Sequence, residues 1–156
     1  MKVELIRVNI QDAENLWKMQ IVSFQDLYAK YQDPETSPAT ETLEKTITRL
    51  EQPYTYYYYI KVGDCIVGAM RVIDHKEDGK YKFLSPIFIM KEFRGRGYAQ
   101  QAIRLAEKIH GSYGWELDTI LQEKGNCYLY EKMGYKLTGE AKVVNGRMTL
   151  VFYRKD

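Results

Sequence analysis

Between Leu84 and Gly111 the apolar pattern changes period twice. Ile87-Phe88-Ile89 is a continuous apolar run of the kind a buried strand carries. The run stops at Arg94-Gly95-Arg96-Gly97. It resumes with Tyr98, Ala102, Leu105 and Ile109 at spacings of four, three and four, which predicts a helix over 97–111 with those residues inward. A strand, a glycine-rich turn and a helix opening on that turn form the centre of the chain.

The same reading extends in both directions. Met1–Val8 alternates and predicts a strand. From Asp12 to Tyr31 the period becomes helical, with Leu16, Gln20, Phe24, Leu27 and Tyr31 on one face. Pro34 and Pro38 make 32–38 a loop. Glu41–Leu50 predicts a second helix with Leu43, Ile47 and Leu50 inward, stopped by Pro53. Tyr54–Val62, Cys65–Ile73 and Lys80–Met90 predict an antiparallel meander, its first turn at Gly63-Asp64. Trp115–Ile120 follows the 97–111 helix and must run parallel to the strand before it. Gly125–Met133 is a short helix closed by Gly134 in a left-handed conformation. Two strands, Tyr135–Val144 and Arg147–Arg154, join at Asn145-Gly146, a strong hairpin signal. The order is β-α-α-β-β-β-α-β-α-β-β, an α/β chain with a mixed sheet and one parallel pair. Ligands in such sheets sit at strand carboxyl ends where the topology switches, here over the turn at Arg94.

That turn has the makings of an anion site. The first N–H groups of a helix lack internal partners, the dipole adds positive charge, and glycine admits a close ligand. Residues 91–108 add Lys91, Arg94, Arg96, Arg104 and Lys108 against Glu92 and Glu107. No Gly-Lys-Ser/Thr follows, so this is not a Walker loop. Gln100 stands where the dinucleotide fingerprint needs glycine.

Bulk properties narrow the class. The 156 residues predict a single domain, 1–156. A net charge of +2 argues against a nucleic-acid-coating protein. Cys65 and Cys127 lie far apart and read as reduced, pointing to the cytoplasm. The N-terminus shows no signal core, and no run reaches the ~20 apolar residues that cross a bilayer. Two histidines, His75 and His110, are too few to suggest a metal centre.

The turn reads Arg94-x-x-Gly97-x-Ala99, and this resembles the Arg/Gln-x-x-Gly-x-Gly/Ala signature of the GCN5-related N-acetyltransferases (GNAT). A second signature agrees: Leu129-Tyr130-Glu131-Lys132-Met133-Gly134-Tyr135 is similar to the family's Leu-Tyr-Glu-Lys-x-Gly-Phe segment. The predicted element order matches the family fold across nearly the whole chain. The resemblance implies direct transfer of an acetyl group from acetyl-CoA to an amine. It assigns Ile87, Phe88 and Ile89 to the pantetheine arm, the Arg94, Gly95, Arg96, Gly97, Tyr98, Ala99 and Gln100 turn to the pyrophosphate, and Tyr130 to the sulfur. The family's pantetheine-binding Asn, six or seven residues before the tyrosine, is replaced by Lys124 and Glu123. Asn126 either substitutes or caps its helix.

The general base is open between Asp118, on the strand leading to Tyr130, Glu92, just before the turn, and a water chain. The acceptor is open as well: an amine-bearing small molecule or peptide. Residues 32–51 carry Asp33, Glu35, Glu41, Glu44 and Glu51 against Lys45 and Arg49, which either complements an amine or favours a helix start. The Tyr54, Tyr56–Tyr59 run either lines a cation pocket or packs. A non-catalytic CoA-binding sensor on the same fold is the alternative function. A single-strand nucleic-acid binder that stacks bases on the tyrosines is disfavoured by charge. No membrane role is expected, and family members are often homodimers.

Overall fold

The computed structural model describes residues 2–156. Its elements are β1 (Val3–Arg7), α1 (Ala13–Tyr31), α2 (Leu43–Glu51), β2 (Thr55–Val62), β3 (Cys65–Ile73), β4 (Lys82–Ile89), α3 (Tyr98–His110), β5 (Trp115–Ile120), α4 (Lys124–Lys132), β6 (Lys136–Asn145) and β7 (Met148–Lys155). This is the predicted order, with short 3-10 turns added at Ile10–Asp12, Pro38–Thr40 and Lys91–Phe93. Met1, placed in the first strand by its alternation, lies outside the described residues.

The seven strands form one sheet in the order β1-β2-β3-β4-β5-β7-β6. Every neighbouring pair is antiparallel except β4 and β5. That parallel pairing lasts only through Lys82↔Trp115 and Phe83↔Glu116. Beyond it β4 bends: Met70↔Ile87 and Val72↔Leu84 set two steps of β3 against three of β4. The extra residue lies at Ser85-Pro86, where proline has no N–H to give a ladder and a bulge turns the strand. The two carboxyl ends therefore part, and the gap between them is where the site forms.

Helices cover both faces. Under α3 and α4 lie Tyr58, Ile60, Met70, Val72, Trp115 and Leu117, packed on Tyr98, Ile103 and Tyr130. On the other face Leu16 of α1 packs with Val8, Tyr57, Tyr59, Ala69 and Phe88. Burying a side chain such as Leu16 contributes about 1.5–3 kcal/mol. The tyrosine run divides by strand alternation. Tyr57 and Tyr59 go to one face and Tyr58 to the other, all buried, so they pack and form no exposed stacking platform.

Two helical faces differ from expectation. On α3 the buried residues are Tyr98, Ala102, Ile103, Ala106 and Glu107, while Ile109 is 57% exposed. Alanines at 102 and 106 let the helix lie close to the sheet, and the last turn is fixed by His110 instead. Its Nε2 is 2.8 Å from the Tyr58 hydroxyl and its Nδ1 2.8 Å from Asp74. Glu107 tolerates burial because Lys155 donates to it at 3.0 Å. On α2, Thr46 is the buried residue, and Leu43, Ile47 and Leu50 are only half-buried, since this nine-residue helix lies at the rim. Thr42 caps it, accepting from the Lys45 N–H at 3.2 Å.

Gly68 of β3 fixes how closely β4 approaches. A Cβ there would stand 2.0 Å from the Phe88 carbonyl oxygen and 3.0 Å from the Ile89 Cα. Gly68→Ala must push β4 away, at a cost of about 1–3 kcal/mol. Urea denaturation should show a lower midpoint at unchanged slope, and a wild-type midpoint would mean that β4 yields freely.

Candidate active site

Two grooves open where β4 and β5 separate. The first, a cavity of about 540 Å³, is lined by Ile87–Ile89, the turn at Arg94, Gly95 and Gly97, the start of α3, and Gly125, Asn126, Leu129 and Tyr130 of α4. Met90 donates to the Val67 carbonyl at 2.7 Å, so strand alternation turns the N–H groups of Ile87 and Ile89 away from β3, toward the side β5 has left. Gly95 and Gly97 hold φ of +79° and +78°, a left-handed geometry that costs glycine little. A Cβ at either would meet nothing within 4 Å, so the space above the turn is open. No side chain caps α3, and no acid stands in its first turn. Its first internal bond is Gln101 N–H to the Gly97 carbonyl at 3.2 Å, which leaves the N–H groups of Tyr98, Ala99 and Gln100 facing the groove's end. This end suits an anion, and the exposed strand edge suits an extended amide chain.

The two arginines of the turn do other things. Arg94 donates from Nε to the Ile89 carbonyl at 2.7 Å, and from its terminal nitrogen to the Ser23 carbonyl at 2.9 Å and hydroxyl at 3.2 Å. It ties the turn to α1 and lines the groove while its charge is spent on carbonyl oxygens. Arg96 leans toward the Glu92 carbonyl and lies outside the groove lining. Glu92 lines neither groove. Asn126 lies in the first turn of α4, beyond the cap position held by Glu123, and lines both grooves.

The second groove, about 400 Å³, lies on the α1–α2 side of the same gap. Asp118 of β5, Ser85 of the bulge and Arg71 of β3 line it in a row. Asp118 is 3.5 Å from the Ser85 hydroxyl, and Arg71 Nε donates to the Ser85 carbonyl at 2.6 Å. Burial raises the Asp118 carboxyl above its ordinary value, against the pull of Ser85 and Arg71. Tyr130 lines both grooves and stands where they meet. Its ring is held by Tyr135 and Tyr153, each with centroids 6.2 Å away. Burial raises its phenol, so the hydroxyl stays protonated. That hydroxyl bonds to no described residue, yet among the described residues no fully buried side-chain oxygen lacks a partner. It therefore opens into the cavity.

In the acidic segment 32–51 the charge of Glu41 is neutralised. Glu41 accepts from Arg49 through both oxygens, at 3.0 and 3.3 Å, from Gln20 at 2.8 Å, and pairs with Lys45 at 3.3 Å. Asp33 is buried and accepts from Thr36 at 2.7 Å. Sequence reasoning missed Ser85, Arg71, Ser23 and the clip in which Lys30 and Tyr31 of α1 both donate to Glu123. Pro86 inside a strand pattern and Arg71 inside an apolar one were the available signals. Among the described residues no helix is long and apolar enough to cross a membrane, and no His/Cys/Asp/Glu group could hold a metal ion.

A mixed sheet that opens at its single parallel pair over an uncapped glycine turn defines an acyl-CoA N-acyltransferase-type fold. The chain belongs to the acetyltransferase (GNAT) family, whose model matches residues 20–135. Among solved structures it is similar to PaiA N-acetyltransferase from Thermoplasma acidophilum in complex with coenzyme A, at 17% identity over 100% of both chains and a TM-score of 0.76. It is similar also to spermidine N-acetyltransferase from Vibrio cholerae in complex with CoA and spermine, at 15% identity over 97% of this chain and 94% of that one, TM-score 0.76. A third is the microcin C7 self-immunity acetyltransferase MccE in complex with acetyl-CoA and AMP, at 19% identity over 97% and 91%, TM-score 0.70. No curated protein matches the chain.

Arg94→Met removes the tie between the turn and α1 and strands two carbonyls. The expected cost is about 1–2 kcal/mol in urea denaturation. A wild-type midpoint would show that the loop holds its place unaided.

Proposed function

We propose that this chain transfers the acetyl group of acetyl-CoA directly to a primary amine of a small molecule or peptide. The observation that carries the reading is the unpaired Tyr130 hydroxyl at the meeting of the two grooves. Family membership supports the acetyl donor, and so do the coenzyme A complexes of similar structures. In this reading the first groove takes the donor. The backbone of Ile87–Ile89 pairs with its pantetheine arm as a further strand, with Asn126 reaching it from α4. The N–H groups of residues 95–100 hold the pyrophosphate. The second groove takes the amine.

Three groups act on the reaction. Asp118 accepts the proton that the ammonium must lose, its raised pKa making it a better base than a surface carboxylate. The Ile89 N–H donates to the thioester carbonyl as charge develops there; losing such a donor costs ~3 kcal/mol. Tyr130 donates to the departing sulfur. A phenol (pKa ~10) is a weaker acid than a thiol (pKa ~8.5), so its part is to stabilise charge and not to transfer its proton fully.

Gly97→Glu puts a carboxylate into the open space above the turn. It should abolish thermal stabilisation by acetyl-CoA in a protein that still folds; retained stabilisation would move the donor elsewhere. Tyr130→Phe should lower kcat ~10–10³-fold with little change in acetyl-CoA affinity, the loss shrinking as pH approaches the thiol pKa. Weakened binding with unchanged kcat would make Tyr130 structural. A base works when deprotonated, so kcat should climb as pH rises through the elevated Asp118 value. Asp118→Asn should flatten that acidic limb and cost ~10²-fold. A full set of amines that releases no thiol, despite tight acetyl-CoA binding, would leave the CoA-sensor reading in its place.

A further inference from the structure

The second groove contains a cation, Arg71, that makes no contact ion pair among the described residues. Arg71 is the register partner of Tyr57 on β2 and points to the α1–α2 face, where Arg49 lies beside the same tyrosine. Its Nε is used by the Ser85 carbonyl. The remaining guanidinium N–H groups have no partner among the described residues, and no carboxylate there stands within ion-pair reach. A half-buried guanidinium normally holds an acid, because removing its hydration is costly. Burial, and then the charge of Arg49, push its pKa down, against the weaker pull of Tyr57, Glu41 and Asp118.

The rest of the lining does not supply the missing charge. Glu41 is taken by Arg49 and Lys45, and Asp33 by Thr36. Lys142 of β6 reaches the same groove without an ion pair. Asp118 and the buried Asp33 are the lining carboxylates without a cation in contact, and of the two it is Asp118 that sits across Ser85 from Arg71. The groove thus offers one anionic point at the place for an amine and an open guanidinium edge a short distance away. Two parallel N–H groups on such an edge match the two oxygens of a carboxylate.

We propose that the acceptor is an amine that also carries a carboxylate, an amino-acid-like molecule, with its amino group at Asp118 and its carboxylate on Arg71. This rests on the amine-acceptor reading above and narrows it. A polyamine would bring further positive charge against Arg71 and Lys142, which the groove opposes.

The test is binding to the CoA-saturated protein, read by thermal shift, with thiol release measured in parallel from acetyl-CoA. The probes are leucine, phenylalanine and methionine, each beside its decarboxylated amine, with β-alanine, aminoethyl phosphate and spermidine. At least one amino acid should half-saturate at a concentration tenfold or more below that of its decarboxylated partner. Arg71→Met should erase this preference, and Arg71→Lys should restore part of it. Stabilisation by acetyl-CoA, which uses the other groove, checks that each variant folds. Carboxylate-dependent binding through Arg71 without thiol release would uphold this inference and overturn the transferase reading. Equal binding of both members of every pair would overturn the inference from the wild-type protein alone, as would tighter binding of spermidine, tighter binding of aminoethyl phosphate than of β-alanine, or no binding by any probe.

Discussion

Parallel pairing between β4 and β5 lasts for two residue pairs, after which each strand must satisfy its backbone elsewhere. β5 does so with β7, pairing from Trp115↔Lys155 to Ile120↔Leu150. β4 keeps β3 on one side but carries an unpaired edge on the other from the Ser85-Pro86 bulge onward. An unpaired edge inside a folded chain is costly unless something completes it. Here it faces a groove, so the same edge that a closed sheet would have consumed is available to an extended ligand. The uncapped start of α3 is a second such deficit, a few residues further along the chain. Both deficits face one cavity, and a ligand with an amide arm and an anionic end relieves both.

The neighbouring groove is built on the same logic with charged side chains. Asp118 and Arg71 are half-buried and Tyr130 is buried, and none has the partner that would make its burial cheap. Contrast the buried polar groups elsewhere in the fold. His110 sits between Tyr58 and Asp74, Glu107 between Lys155 and Tyr135, and Glu41 within Arg49, Lys45 and Gln20. The chain satisfies buried polarity where it serves only stability. Among the described residues it leaves polarity open at the parted strands.

Much of this was legible in the sequence. The order of elements, the parallel pair and the left-handed Gly134 follow from local pattern and turn chemistry, and the structure has each of them; the final hairpin is there too, with its turn at Gly146-Arg147, one residue beyond the expected Asn145-Gly146, because Asn145 still pairs with Met148. Residues placed by local rules, such as Gly95, Gly97 and Tyr130, come together around one gap. What failed depends on contacts across the chain. The inward stripe of α3 was read toward Ile109 because periodicity counts apolar residues. A histidine that bonds to β2 and to the residue after β3 takes that place instead. The acid-rich 32–51 segment was open between complementing an amine and favouring a helix start, and the pairing of its Glu41 with Arg49 eight residues on is a tertiary matter. Arg71 went unnoticed for the same reason: a single arginine in an apolar strand acquires meaning only from what fails to meet it.

Holding the walls of the gap in register falls to α1. Arg94 joins the turn before α3 to Ser23, in the middle of α1. At its far end Lys30 and Tyr31 grip Glu123, just before α4, and the Tyr31 carbonyl accepts from Asn145 at the end of β6 at 2.9 Å. One helix therefore spans the first groove's turn, the helix that carries Tyr130 and the hairpin that carries Lys142. Phe24 and Leu27, between those ties, line both grooves. The separation of β4 from β5 is set by the bulge, but the positions of Tyr130 and the α3 turn relative to one another are set by α1. A shift of α1 along its axis would thus alter both grooves together, and the polar ties at its middle and end oppose that shift.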